Sequence, residues 1–165
     1  DPGQSPGRSI RAAEMLAARG GSSQASDLLQ RVRGQWGDSL PDGDKRRVLK
    51  LQARLAMAGG ATDEAAVRIL QEVIELDPLD GEALMLLGQH HQRGGRPDEA
   101  ILFYERAARI DAFAPNAKVR IAQVYVSQER FSDALPLLRD AQAIRPREDV
   151  ARYLEQVERA SKAKR

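Results

Sequence analysis

The sequence predicts an all-α protein built as a helical-repeat solenoid of about nine helices, the last of them a cap. Three observations carry this. An alanine recurs at Ala66, Ala100 and Ala134, at a constant interval of 34 residues. Each alanine opens the same helical spacing, with Leu70, Tyr104 and Leu138 four residues on and Val73, Ala107 and Ala141 seven residues on, so that three side chains share one face. Short breaks, "AGGAT", "RGGRP" and "SQERF", divide that face from a second one upstream, which carries Ala53, Leu87 and Ile121 and then Met57, His91 and Tyr125.

The residue types explain why the interval matters. Gly88 and Ala122 on the first helices, and Ala100 and Ala134 on the second, are small enough to let two backbones approach closely. The larger Met57, Tyr104, Tyr125 and Leu138 then fill the space beside that approach. One helix pair cannot bury both its apolar faces alone, so successive pairs must stack. Pro78 and Pro146 close their copies, as proline after a helix does. Two departures stand out. Arg54 occupies the small position in the first copy, so either the helices splay or the side chain tilts outward along its aliphatic stem. In the second copy Ala112 stands where the closing proline belongs, which defers it to Pro115.

Outside the three copies the pattern weakens. Ala25, Leu29 and Val32 keep the helical triplet, with Ala13 and Leu16 upstream, which gives a divergent N-terminal pair. From Ala25 to Ala66 is 41 residues, and the excess is assigned to a loop, "GQWGDSLPDGD". Trp36, the one tryptophan, is expected to plug an edge of the stack. After Pro146, Val150, Tyr153, Leu154 and Val157 share a face with charges opposite, as a terminal cap must. The expected layout is a flexible tail at 1–7, a divergent pair with its loop at 8–46, three repeats at 47–80, 81–114 and 115–148, and a capping helix with a basic tail at 149–165. The start, "DPGQSPG", lacks methionine and is expected to be a trimmed end.

Composition narrows the function classes. With 42% hydrophobic and 30% charged residues in 165, the chain can bury a core. Net charge is only +2, and the charges interleave along stretches such as "DEAILFYERAARID", the signature of a solvated helix face. The basic run "RASKAKR" is expected to be a frayed tail. No apolar run is long enough to insert in a membrane, and no signal-like segment stands at the start. Absence of cysteine excludes disulfides and thiolate chemistry, but leaves a cytoplasmic and a periplasmic home equally open.

No catalytic, cofactor or metal site is predicted. His90 and His91 are adjacent, so on a helix they point about 100° apart and cannot hold one metal together. His91 falls at a packing position and His90 is expected to face solvent. Asp63-Glu64 and Asp98-Glu99 recur at the starts of second helices, where acidic side chains offset the macrodipole. The Gly-Gly pairs at 20–21, 59–60 and 94–95 follow no strand and are turns, not phosphate loops. An enzyme is not expected.

This pattern resembles the tetratricopeptide repeat, a 34-residue helix–turn–helix written W-x2-L-G-x2-Y, then A-x3-F, then P. The best copy reads Leu84-x2-Leu87-Gly88-x2-His91, then Ala100-x3-Tyr104-x2-Ala107; here His91 stands in place of tyrosine. The third reads Lys118-x2-Ile121-Ala122-x2-Tyr125, then Ala134-x3-Leu138-x2-Ala141 and Pro146. The resemblance covers about 47–148. It implies a right-handed superhelix whose first helices line a concave groove for a peptide or helix of a partner protein.

In this sequence the groove positions are Val48, Leu51, Leu55 and Ala58; Glu82, Met85, Gln89 and Gln92; and Asn116, Val119, Gln123 and Val126. Only Asn116 is of the kind that family members use to clamp a terminal carboxylate, so such a clamp is not expected. The expected ligand is an apolar or amphipathic segment anchored on Leu51, Leu55, Met85 and Val119. Gln89 and Gln123 would bond its backbone, with Gln92 and Asn116 completing the site. The alternatives are that the groove surface is merely tolerated or is filled by the chain's own N-terminal pair, that the solenoid ends self-assemble into a homo-oligomer, or that the stack binds RNA. The last is not expected, because the related RNA-binding pentatricopeptide repeats have a period of 35 and a basic groove, whereas no lysine or arginine stands at these positions.

Overall fold

A computed structural model describes residues 5–58 and 64–163, and among them it holds nine α-helices, one 3-10 turn and no strand. The chain divides into two compact units, Asp1–Pro78 and Leu79–Arg165. The turn glycines 59–60, together with Asp63, residues 1–4 and the last two residues of the basic tail, lie outside the described residues.

The N-terminal unit holds α1 (Pro6–Ala18), α2 (Ser22–Trp36), α3 (Asp42–Ala58) and α4 (Glu64–Leu76). α1 pairs with α2 and α3 with α4, and α3 also packs on both earlier helices. Ile10, Ala13, Leu29, Val32, Leu40, Val48 and Leu51 form its core, with Trp36 and Leu55 packed at the margin. α1 begins at Pro6, inside the stretch expected to be a tail, because a proline's fixed φ and missing N–H suit the first turn of a helix. The excess residues ahead of Ala66 do not form a long loop. They lengthen α2 to 15 residues and α3 to 17, leaving a 3-10 turn at Gly37–Ser39 and then Leu40 and Pro41 between them. Arg47 on α3 fastens α1: its Nε and Nη2 donate to the two Glu14 oxygens at 3.1 and 2.8 Å. Arg54 is exposed, so of the two outcomes open to it the side chain has tilted outward.

In the C-terminal unit α5 (Gly81–Arg93), α6 (Pro97–Ala108), α7 (Ala114–Ser127), α8 (Phe131–Ile144) and α9 (Glu148–Ala163) pack each on the next. Ala100, Tyr104, Ile121 and Val124 form one cluster, and Ala122, Ala134, Leu138, Val150 and Val157 another. A Cβ on Gly88 would sit 2.4 Å from the Tyr104 ring, which is why the small position is a glycine here. The Asp80 carboxylate caps α5 by accepting the Ala83 N–H at 3.0 Å. Pro115 does not close α6; it opens α7, for the same reason as Pro6.

The repeat phase holds in both units. Ala66, Ala100 and Ala134, and the Leu70, Tyr104 and Leu138 four residues on, are all 0% exposed. Five residues before the alanine the chain turns through a left-handed conformation, with Gly20 at φ 83, Gly95 at φ 69 and Glu129 at φ 60.

Candidate functional site

Two helices of the C-terminal unit, α5 and α7, and the chain entering α9 build a cleft of about 340 Å³. On α7, Asn116, Val119 and Gln123 stand three and four residues apart and so share one face. Met85 of α5 faces them, and Arg120, Arg147 and Asp149 complete the wall. Met85 and Val119 are half-buried, each packed against one of the two cores and lining the cleft.

Charges in the cleft are unevenly matched. Arg147 is fully engaged: Nε and Nη2 donate to the two Asp149 oxygens at 3.0 and 2.6 Å, and Nη1 to Asn116 Oδ1 at 2.9 Å. That pairing holds the Asp149 carboxyl below its ordinary range, the Arg147 hydrogen bond being the main cause. Arg120 donates to Gln123 Oε1 at 3.2 Å, a neutral partner, so its charge meets no carboxylate among the described residues. Because the Asn116 and Gln123 oxygens both accept from arginines, their amide NH2 groups are what they present to a ligand.

Of the predicted groove residues, Met85, Asn116, Val119 and Gln123 come together here. Gln92 does not join them. Its Oε1 accepts from the Tyr104 hydroxyl at 2.9 Å, and burial pushes that phenol up to about 12 against the opposing pull of Arg120 and Arg93. Gln89 is half-buried outside the cleft. In the N-terminal unit Leu51 is 1% exposed and packed with Ile10, Ala13 and Leu29. It is a core residue and offers nothing to a ligand, because helices α1 and α2 already cover that part of α3. Leu55 remains half-buried beside a separate hollow with Ser26, Gln30 and Gln52.

Sequence reasoning missed Arg120, Arg147 and Asp149. The Arg120–Gln123 spacing was legible as neighbours on one helix face. Arg147 and Asp149 carry no periodic signal, since they stand where the repeat gives way to the cap. His90 also departs from expectation: it is buried, like His91, because the Arg96 side chain turns back over it, with Nη2 3.1 Å from Nε2. Among the described residues no cluster of three or more His, Asp or Glu could hold a metal, and no helix is long and apolar enough to cross a membrane.

Two sequence profiles described as tetratricopeptide repeat match residues 51–115 and 93–157. No curated protein matches the chain in sequence. Among solved structures, the chain is similar to YrrB, a TPR protein with an unusual peptide-binding site (TM-score 0.69, 20% identity, covering 88% of this chain and 71% of that one). It is also similar to the putative kinesin light chain repeats of Podosopora anserina (0.74, 19%, 97% and 90%). A third is the Yersinia enterocolitica type III secretion chaperone SycD in complex with a peptide of the translocator YopD (0.61, 22%, 77% and 95%). Identities this low establish the fold, an all-α helical-repeat solenoid.

Proposed function

The chain belongs to the tetratricopeptide repeat family, and we propose that it is a non-catalytic adaptor that holds a segment of another protein on the α5–α7 face of its C-terminal unit. One observation carries this: two half-buried apolar side chains, Met85 and Val119, share a cleft with an arginine whose charge meets no carboxylate among the described residues. The segment that fits is amphipathic. Its apolar side chains rest on Met85 and Val119, an acidic group faces Arg120, and its backbone carbonyls take hydrogen bonds from the Asn116 and Gln123 amides. YrrB and SycD, two folds of the same kind, are both described with peptides, which supports a protein-binding role in general.

Nothing in the cleft suits bond-making. It holds no nucleophile, and its one carboxylate is bound to Arg147. Self-assembly through the C-terminal end is the weaker reading, since α9 turns exposed Arg152, Glu155, Gln156 and Arg159 outward.

Selection of a displayed random-peptide library tests the proposal without a known partner. Wild type should enrich sequences that combine apolar residues with Asp or Glu. Arg120→Glu should lose the acidic preference, and Met85→Glu with Val119→Glu should lose enrichment while far-UV circular dichroism stays unchanged. Enrichment that survives both variants sinks the site.

A further inference from the structure

We propose that the α5–α6 hairpin is an acid-sensitive latch, built from His90, His91 and Arg96, that loosens as pH falls through the histidine range. Both histidines of the chain lie in this one cluster, and each is only 8% exposed. A guanidinium can only donate, so the 3.1 Å contact from Arg96 Nη2 requires His90 Nε2 to accept, and the ring must be neutral with its proton on Nδ1. Protonating His90 would set N–H against N–H and place two positive charges at that distance. His91 is held in a different way. Its ring stacks on Phe103 of α6 with centroids 5.2 Å apart, edge-on to His90, and its Nδ1 is buried without a partner. A proton there would gain no acceptor.

The surrounding charges add to the bias. Arg96 faces both rings from the turn, and Arg106 of α6 lies over the Phe103 ring, 5.9 Å from its centroid. Of the acidic pair opening α6, Asp98 and Glu99, only Glu99 favours the charged form of His91. Burial first, then Arg96, lowers the pKa of each histidine below its ordinary value. A base whose folded pKa lies below its unfolded one binds protons preferentially when the structure opens. The closed hairpin is therefore fully favoured above about pH 6.5 and loses that advantage as pH falls toward the lower folded values. The latch joins α5, which carries Met85, to α6, but its action on the hairpin does not depend on what the cleft binds.

Amide hydrogen exchange read by mass spectrometry tests this, with α8 as the internal reference in the same molecule. Between pH 7.5 and 5.5, protection over 88–104 should fall relative to α8, by at most about tenfold per histidine, after correction for intrinsic exchange. His90→Gln with His91→Phe keeps an acceptor for Arg96 and a ring against Phe103 while removing both titrations, and should abolish the differential loss. An equal loss in wild type and variant overturns the latch. Should the variant fail to fold, an NMR titration of the two wild-type rings decides: midpoints below 6.5 support the proposal, and midpoints at or above 6.5 end it.

Discussion

The two units apply one repeat phase to opposite ends. In the N-terminal unit the small position of the first helix is Arg54, which is exposed, and its counterpart on the second helix is Leu70. In the C-terminal unit the same positions are Gly88 and Tyr104, with the ring lying directly on the glycine. The first unit also covers part of its own α3 face. α1 and α2 pack over Val48 and Leu51, and Arg47 bonds back to Glu14. The second leaves α5 and α7 open around Met85 and Val119. A periodic sequence therefore determines which side chains line up, but whether a face becomes core or site depends on what packs over it.

Truncating the covered face should have the largest effect. Leu51→Ala is expected to cost about 3 kcal/mol, the range for a buried leucine, measured as a lower denaturation midpoint at unchanged m-value. Library enrichment on the C-terminal unit should be unaffected by it. If Leu51→Ala instead abolished enrichment at full stability, Leu51 would be a ligand anchor and the two faces would be alike. The next effect is at the helix crossing. Gly88→Val forces a branched side chain into the Tyr104 ring and should cost about 2 kcal/mol. Arg54→Ala at the same phase should cost below about 1 kcal/mol, because an exposed side chain is removed. Equal losses at the two positions would mean that the close approach in the C-terminal unit is not a constraint.

Most of the architecture was legible because it follows from local spacing. The triplets beginning at Ala66, Ala100 and Ala134 are buried as the pattern requires, and the divergent pair at Ala25, Leu29 and Val32 is buried with them. Of the expected groove positions, Met85, Asn116, Val119 and Gln123 line one cleft on α5 and α7, where the chain obeys the repeat. The failures have physical causes of other kinds. Leu51 looked open because a repeat pattern does not say when a divergent neighbour will cover it. Gln92 looked available because its partner, the Tyr104 hydroxyl, belongs to a packing residue on another helix. Arg147 and Asp149 belong to the entry into the cap, where no period applies. The direction of His90 on its helix points to solvent, but an arginine six residues on covers it.

The turns between paired helices offer the smallest and most exacting comparison. Gly20 in one unit and Gly95 in the other occupy the left-handed region at the same phase, and Glu129 does so without being glycine. A side chain there brings Cβ close to the following carbonyl, at a cost of roughly 1–2 kcal/mol, whereas glycine adopts the conformation freely but surrenders more chain entropy on folding, about 0.4–1 kcal/mol. The difference favours glycine. Glu129→Gly should stabilise the protein by about 0.5–1 kcal/mol, and Gly95→Ala should destabilise it by about 1 kcal/mol, both read by chemical denaturation. A Glu129→Gly variant no more stable than wild type would show that contacts of the glutamate side chain, absent at Gly95, already offset the backbone strain at this turn.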